Sequence, residues 1–323
     1  MVELSDIEQA AALIGRLVAP TPQYAWPKLC QRTGCEVWVK HENHTPTGAF
    51  KVRGGLVYMD RLRRDGAAPH GIITATRGNH GQSIAYAAAR SGVPATIYVP
   101  HGNSVDQNDS MRSFGAEVVE FGRDFDEARL EAVRVGDQRR LHYVPSFHPD
   151  LVTGVATWAL ELFRAAPPLD ALYVPVGMGS GVCGAMLVRD LVGATTEIVG
   201  VVAQAAPAIA QSFAAGRVVP SPSSRTFADG IATREPNPDA IAAILRGAAR
   251  IVQVTEDEIA EAMRVLYDTT HQVAEGAGAA ATAALLQEAS RQQGRRVGVV
   301  MSGGNIERAR LRIVLDGGTP AVA

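Results

Sequence analysis

The chain reads as an α/β protein built on two open, twisted, mostly parallel sheets flanked by helices. Three observations predict this. From Gly71 onward, apolar runs of strand length alternate with helical stretches, the βαβ pattern of a parallel sheet. A second alternation of the same kind begins after roughly residue 145. With 323 residues the chain exceeds the usual single core, so two domains, or one large α/β domain, are expected. The connections within each sheet should be right-handed.

Composition narrows the function. A hydrophobic content of 46% fits a packed globular protein, and a net charge of -2 gives no electrostatic case for nucleic acid or an anionic membrane. Cys30, Cys35 and Cys183 are odd in number and lack a second metal-ligand pair, so they read as reduced thiols of a cytoplasmic protein. The N-terminus lacks the basic start and apolar run of a signal peptide, and no window reads as a membrane span.

In chain order, Ser5 and Glu8 suggest a capping box for a first helix through Leu17. Lys28 falls in an apparent loop, and Glu36 to Lys40 is a strand with Lys40 as its end charge. A loop through Pro46 leads into a helix that holds Lys51 and stops near Asp65-Gly66. Ile72 to Ala75 is a strand, then the loop Thr76–Gln82, a small-residue helix from Ser83, and the strand Ala95 to Val99. A helix over Gln107–Phe114 and a strand over Glu117–Phe121 complete the first alternation. In the second, Thr153 to Ala165 is helical and Ala171 to Val176 is a buried strand. Residues 177–181 form a glycine loop before a helix from Val182, and Glu197 to Ala203 is a strand. Helices over Thr255–Tyr267, opened by an acidic first turn, and Gly276–Ala289 precede the last strand, Val297–Met301.

Lysine usage points to chemistry. Of 31 basic residues only Lys28, Lys40 and Lys51 are lysines. A lysine amine can lose its proton and attack a carbonyl, whereas arginine cannot, so amine chemistry has three candidate carriers. Taken alone, Lys51 equally suits a solvent-facing lysine at a helix start. Gly177-Met178-Gly179-Ser180-Gly181 follows a buried strand and opens a helix, as a phosphate cradle does, although a tight βα turn has the same pattern. It lacks the Gly-Lys-Ser/Thr of a nucleoside-triphosphate loop. The Thr76–Gln82 loop and Ser302-Gly-Gly-Asn305 also follow buried strands, whose ends face the ligand crevice of an open sheet. A phosphorylated carbonyl cofactor held by a lysine suits all four loops, and pyridoxal 5'-phosphate is the obvious one.

The segments Gly48–Gly54, Arg77–Gln82, Ala228–Ile231, Val254–Glu258, Val273–Ala277 and Ser302–Asn305 resemble the threonine/serine dehydratase and serine racemase family of fold-type-II pyridoxal-phosphate enzymes. The resemblance runs in order from about residue 15 to 310, and it implies a cofactor cleft between a small substrate domain, residues 46–145, and a large cofactor-binding domain, residues 1–45 plus 146–323. It implies that Lys51 carries the cofactor and removes the substrate α-proton, and that Phe50 packs on the pyridine ring. Asn79 would bond the 3'-hydroxyl and residues 177–181 the phosphate, with Ser302 at the ring nitrogen and Glu275 near the ring. The loop Thr76, Arg77, Gly78, Asn79 and His80 would receive the carboxylate of a small amino-acid substrate. The implied reaction is loss of a β-hydroxyl to give a 2-oxo acid and ammonia, with the cofactor phosphate as the suggested acid, in a homodimer or homotetramer. A serine at the ring nitrogen makes a weaker electron sink than a carboxylate would, which favours prompt elimination.

Three departures bear on this. Racemase members carry a serine where Arg77 stands, and arginine cannot shuttle a proton, so racemisation is expected to be weak or absent. The run Val201–Ala208 has no carboxylate, so the divalent-cation site of some members is not expected. The chain ends without the regulatory domain of biosynthetic members, so feedback inhibition through one is not expected. Arg77 reads equally as a partner for a substrate carboxylate and as an outward structural charge. Phe147 and His148 fit either the β-substituent pocket or a packing loop, leaving phenylserine and 3-hydroxyaspartate open as substrates. β-Replacement and a non-catalytic cofactor-binding protein are the competing classes.

Overall fold

The computed structural model describes residues 2–65 and 70–322. Ten strands are present among them: β1 Gln23–Ala25, β2 Glu36–His41, β3 Ile72–Ala75, β4 Ala95–Val99, β5 Glu117–Glu120, β6 His142–Tyr143, β7 Ala171–Pro175, β8 Glu197–Ala203, β9 Arg250–Val254 and β10 Arg296–Met301. They form a six-stranded sheet in the order β1-β2-β10-β7-β8-β9 and a four-stranded sheet in the order β5-β4-β3-β6. Every pairing is parallel except that of β1 with β2. The expected pair of mostly parallel sheets is therefore present. No helix among the described residues is long and apolar enough to cross a membrane.

The seven expected strands all form, and three more appear. β1 and β6 are too short to leave a periodic signal. β9 lies at the sheet edge and alternates buried with partly or fully exposed positions, so it shows no continuous apolar run. Helix starts differ more instructively. The helices Asn79–Arg90, Ser180–Leu191 and Pro149–Ala165 begin two to four residues before their expected starts. The first turns of the Asn79 and Ser180 helices hold polar residues and glycine, which carry no hydrophobic period, and the Pro149 helix opens on Pro149-Asp150. Lys28 lies in the helix Pro27–Thr33, not a loop, because Pro27 suits a first helical position. The first helix spans Leu4–Ile14, and Asp6 rather than Glu8 accepts the Glu3 N–H at 2.9 Å. The Lys51 helix runs to Arg64 and its C-cap is Asp65; Gly66, its other expected stop, lies outside the described residues.

That helix, Lys51–Arg64, is wedged between two others by glycines. A Cβ on Gly154 of the Pro149–Ala165 helix would lie 2.7 Å from Gly54 Cα, and one on Gly55 would lie 2.8 Å from the Ser83 carbonyl oxygen. Any larger side chain would force the helices apart. One turn in, Arg53 is fully buried with four charge-assisted bonds: Nε and Nη2 to Glu42 at 2.7 and 2.9 Å, Nη1 and Nη2 to Glu161 at 2.7 and 2.9 Å. Lys40, read from sequence as a strand-end charge, is also fully buried, and donates to Glu161 at 2.6 Å and to the Thr21 carbonyl at 2.8 Å. Burial pulls its amine below the ordinary lysine range, and the two glutamates partly oppose this. Thr21 Oγ1 donates to Glu42 at 2.6 Å. Two cations thus face two carboxylates with nearly every polar atom satisfied.

Removing one member of such a buried cluster strands the opposite charge. Arg53→Ala is expected to lower the unfolding free energy by about 3–5 kcal/mol in urea titrations. Arg123→Ala, which breaks a solvent-exposed pair with Glu127, should leave stability unchanged. Equal effects from the two would remove the cluster's special role.

Candidate active site

The carboxyl ends of β3, β7 and β10 and the amino end of the Lys51 helix surround one narrow cleft. Phe50, Lys51, Asn79, Gly177, Met178, Gly179, Ser180, Gly181, Glu275 and Ser302 all line it, together with Gly230. The backbone sets this meeting. The Phe50 N–H donates to the Ser302 carbonyl at 3.0 Å, Ala49 bridges Gly303, and the Glu275 N–H donates to the Gly303 carbonyl at 3.1 Å. The Lys51 turn, the Ser302 loop and the start of the Gly276–Gln287 helix are therefore stitched together before any side chain is counted.

Lys51 has no carboxylate within ion-pair distance among the described residues, and its Nζ lies 5.0 Å from the Phe50 ring centroid. Burial lowers its amine to about 8, with the charge of Glu275 pulling the other way. Glu275 moves in the opposite sense, up to about 8. Its burial dominates; the Asn79 hydrogen bond and Lys51 oppose the shift, and Asp229 adds to it. Asn79 Nδ2 donates to Glu275 Oε1 at 2.7 Å.

Residues 177–182 form a backbone cradle. None of their N–H groups donates to an acceptor in the described chain, because a helix begins at Ser180 and leaves its first donors unpaired. Gly179 holds φ +101°, open to glycine, and a Cβ there would lie 2.7 Å from the Ala240 side chain. The positive end of the Ser180–Leu191 helix points at the same place.

The Thr76–His80 loop behaves less simply than its sequence suggests. Thr76 is buried, and its Oγ1 accepts the N–H groups of Gly78 and Gly81 at 3.0 and 3.2 Å. The His80 ring lies 3.3 Å from Thr74 Oγ1, and burial, then the charge of Lys51, lower it to about 3. Both side chains shape the loop and do not line the cleft. What remains free is backbone: the N–H groups of Arg77, Asn79 and His80 have no acceptor within the described chain. Arg77 is largely exposed and lies 3.6 Å from Asp229, which is also paired with Arg310 at 3.1 Å. Phe147 packs on the large-sheet core, and His148 caps the Pro149–Ala165 helix while its ring meets Tyr58 at 5.0 Å. Among the described residues no three His, Cys, Asp or Glu side chains cluster to share a metal ion.

Residues 14–303 match the family model described as "Pyridoxal-phosphate dependent enzyme". This chain belongs to that family. It is 36% identical to an L-threonine ammonia-lyase of Geobacter sulfurreducens across 99% of this chain and 80% of that protein. It is 29% identical to an L-threo-3-hydroxyaspartate ammonia-lyase of Saccharomyces cerevisiae, across 97% and 96%. The processed form of threonine deaminase isoform 2 from Solanum lycopersicum superposes with a TM-score of 0.88 at 28% identity, covering 98% of this chain and 94% of that one.

Pyridoxal phosphate is the cofactor of this enzyme, and the cleft fits it on its own evidence. Six consecutive unpaired N–H groups at a helix start suit a phosphate dianion, and a lysine amine lowered to about 8 suits a carbonyl. A Cβ on Gly181 would sit 3.4 Å from the Phe50 ring, so the glycine keeps that wall low.

Sequence reasoning missed Asn305 as a site residue, along with the cluster around Arg53. Its signal was its place three residues after Ser302.

Glu275 makes one contribution to the pH dependence of the apoprotein. Unfolded, this carboxyl titrates near 4.5; folded, it keeps its proton to about 8, so its own contribution to stability falls as pH rises between those values. The buried His80 and His41, lowered to about 3 and about 4, act in the opposite sense below 6.5, so the Glu275 contribution shows as a fall in stability between pH 6.5 and 8. Glu275→Gln should flatten that part of the melting-temperature profile. An unchanged slope in the variant would show that Glu275 is not its source.

Proposed function

We propose that this enzyme eliminates the β-hydroxyl of an L-β-hydroxy-amino acid of the threonine/serine type, releasing a 2-oxo acid and ammonia. The observation that carries the reading is the cleft itself: a desolvated lysine amine and a phosphate cradle, with a serine rather than a carboxylate on the facing loop. Bound pyridoxal phosphate supplies an electron sink for the α-carbon. The chain's residues do the rest. Lys51 holds the carbonyl end of the cofactor and, once released as a free amine, takes the α-proton. Its lowered basicity makes the neutral form accessible near neutral pH.

The six N–H groups of residues 177–182 hold the phosphate, and Phe50 and Ser302 bound the ring. Ser302 would bring no fixed negative charge to the cofactor ring, leaving it a weaker electron sink than a carboxylate would, which favours prompt loss of the β-hydroxyl. The free N–H groups of Arg77, Asn79 and His80 lie at the start of the Asn79–Arg90 helix, where its dipole favours the substrate carboxylate. Arg77 stays protonated and cannot deliver a proton to the opposite face, which disfavours racemisation. The four-stranded unit serves as the substrate domain over residues 46–145, and the enzyme works in the cytoplasm as a homodimer or homotetramer.

A larger or more acidic hydroxy-amino acid is the second reading. The exposed guanidinium of Arg77 favours it, since Asp229 has Arg310 as a closer partner.

Purified enzyme assayed with L-threonine, L-serine, threo-phenylserine and threo-3-hydroxyaspartate should release 2-oxo acid and ammonia in equal amounts from at least one. Lys51→Ala should cut turnover by about 10³-fold or more and lose the yellow absorbance of the bound cofactor. A yellow protein that forms no oxo acid from any of the four would contradict the dehydratase reading.

A further inference from the structure

Asn305 makes bonds that reach across the cleft. It follows Ser302 by three residues on the exit from β10. Its side-chain nitrogen donates both hydrogens, one to the Thr47 carbonyl and one to Asn79 Oδ1, each at 2.8 Å. Its backbone carbonyl accepts from Gln107 Nε2 at 3.1 Å, and Gln107 Oε1 accepts from Gln82 at 2.5 Å. One residue of the large sheet thus touches the turn before Lys51 and two helices that flank the small sheet.

These bonds fix an orientation. An amide side chain has a donor end and an acceptor end of nearly equal shape, and its partners decide which way it lies. The Thr47 carbonyl can only accept, so Asn305 must present its NH₂ on that side. The second hydrogen of that NH₂ then requires an acceptor, which Asn79 supplies with Oδ1. Asn79 is left with its NH₂ toward Glu275 and the cleft, as the 2.7 Å bond to Glu275 Oε1 records. Space confirms how closely Asn305 is held. A Cβ on Gly48 would lie 3.0 Å from Asn305 Cγ, and Gly48 holds φ +66°.

We propose that Asn305 is a positioning residue that locks Asn79 with its donor end toward the cleft, so that Asn79 offers the cofactor's ring oxygen a hydrogen and never a lone pair. This rests on the reading that Asn79 faces that oxygen. A donor there favours the oxygen as an anion; a flipped amide would repel it. The titratable groups around Asn79 are Glu275 and Lys51 on the cleft, the adjacent buried His80 and, beyond Glu275, Asp229, and the substitutions below leave all four in place.

The test is a double-mutant cycle on Asn305→Ala, Asn79→Ala and the pair. Cofactor affinity of each apoprotein and the pH midpoint of each holoenzyme's visible absorbance are measured, with apoprotein melting as a control. Asn305→Ala should weaken cofactor binding about tenfold, the scale of one hydrogen bond, and shift the midpoint in the same direction as Asn79→Ala. In the Asn79→Ala background it should add nothing to either. Asn305→Asp, which keeps the shape but cannot donate, serves if the alanine variant does not fold, and should weaken binding further. Losses that multiply in the double variant would overturn the proposal and leave Asn305 a structural residue. Unchanged binding in Asn79→Ala would overturn it through Asn79. A wild-type protein that binds no pyridoxal phosphate would instead overturn the functional reading beneath it.

Discussion

The Arg53 guanidinium, buried between Glu42 and Glu161, is the constraint on which the active cleft depends. It sits two residues beyond Lys51, which on an α-helix is about 200° around the axis. With Arg53 drawn into the helix interface, Lys51 has to face the other way, toward the ends of the strands. A buried guanidinium with four bonds has one satisfactory placement, and any rotation of the helix would leave charges unpaired in a dry interior. The glycine contacts at Gly54, Gly55 and Gly154 fix the depth of the same helix. Rotation and depth together determine where the amine emerges.

Burial then tunes what emerges. Lys51 moves down, Glu275 moves up and His80 moves far down, in each case mainly through desolvation. All three shifts move the group towards its neutral form, which Glu275 and His80 reach at pH 7 while Lys51, at about 8, is only brought within reach of it. The backbone N–H groups of residues 177–182 and of Arg77, Asn79 and His80 are left without acceptors in the described chain, as the fixed attraction for anions. On the proposed reading, a phosphate and a carboxylate would be held by fixed dipoles that need no proton exchange, while Lys51 would move the α-proton. Asn79 joins the two halves of this arrangement, bonded to Glu275 on one side and to Asn305 on the other.

Much of this was legible in the sequence, for identifiable reasons. Lys51 stood out because arginine fills nearly every other basic position, and the 177–181 loop because its glycines separate a buried strand from a helix. The resemblance to the dehydratase family supplied Asn79, Glu275 and Ser302. Long-range pairing was not legible. Asn79 and Glu275 are 196 residues apart, and neither carries a local mark of the other. Arg53 looked like one more charge beyond Lys51, and Lys40 like a strand end, because a charge's burial is decided by partners from Thr21 to Glu161 that only tertiary structure gathers. In the Thr76–His80 loop, the Thr76 and His80 side chains are engaged beside the loop itself, and the donors without a partner belong to its backbone, which no side-chain pattern marks.

The most direct test of the account is to reduce the holoenzyme with borohydride, which fixes the cofactor to its lysine through a stable C–N bond, and to map the modified peptide by mass spectrometry. With only Lys28, Lys40 and Lys51 available, the outcome is unambiguous. The account predicts a single cofactor mass on Lys51 and none on the other two. Modification of the exposed Lys28, of the buried Lys40, or of no lysine at all would contradict it.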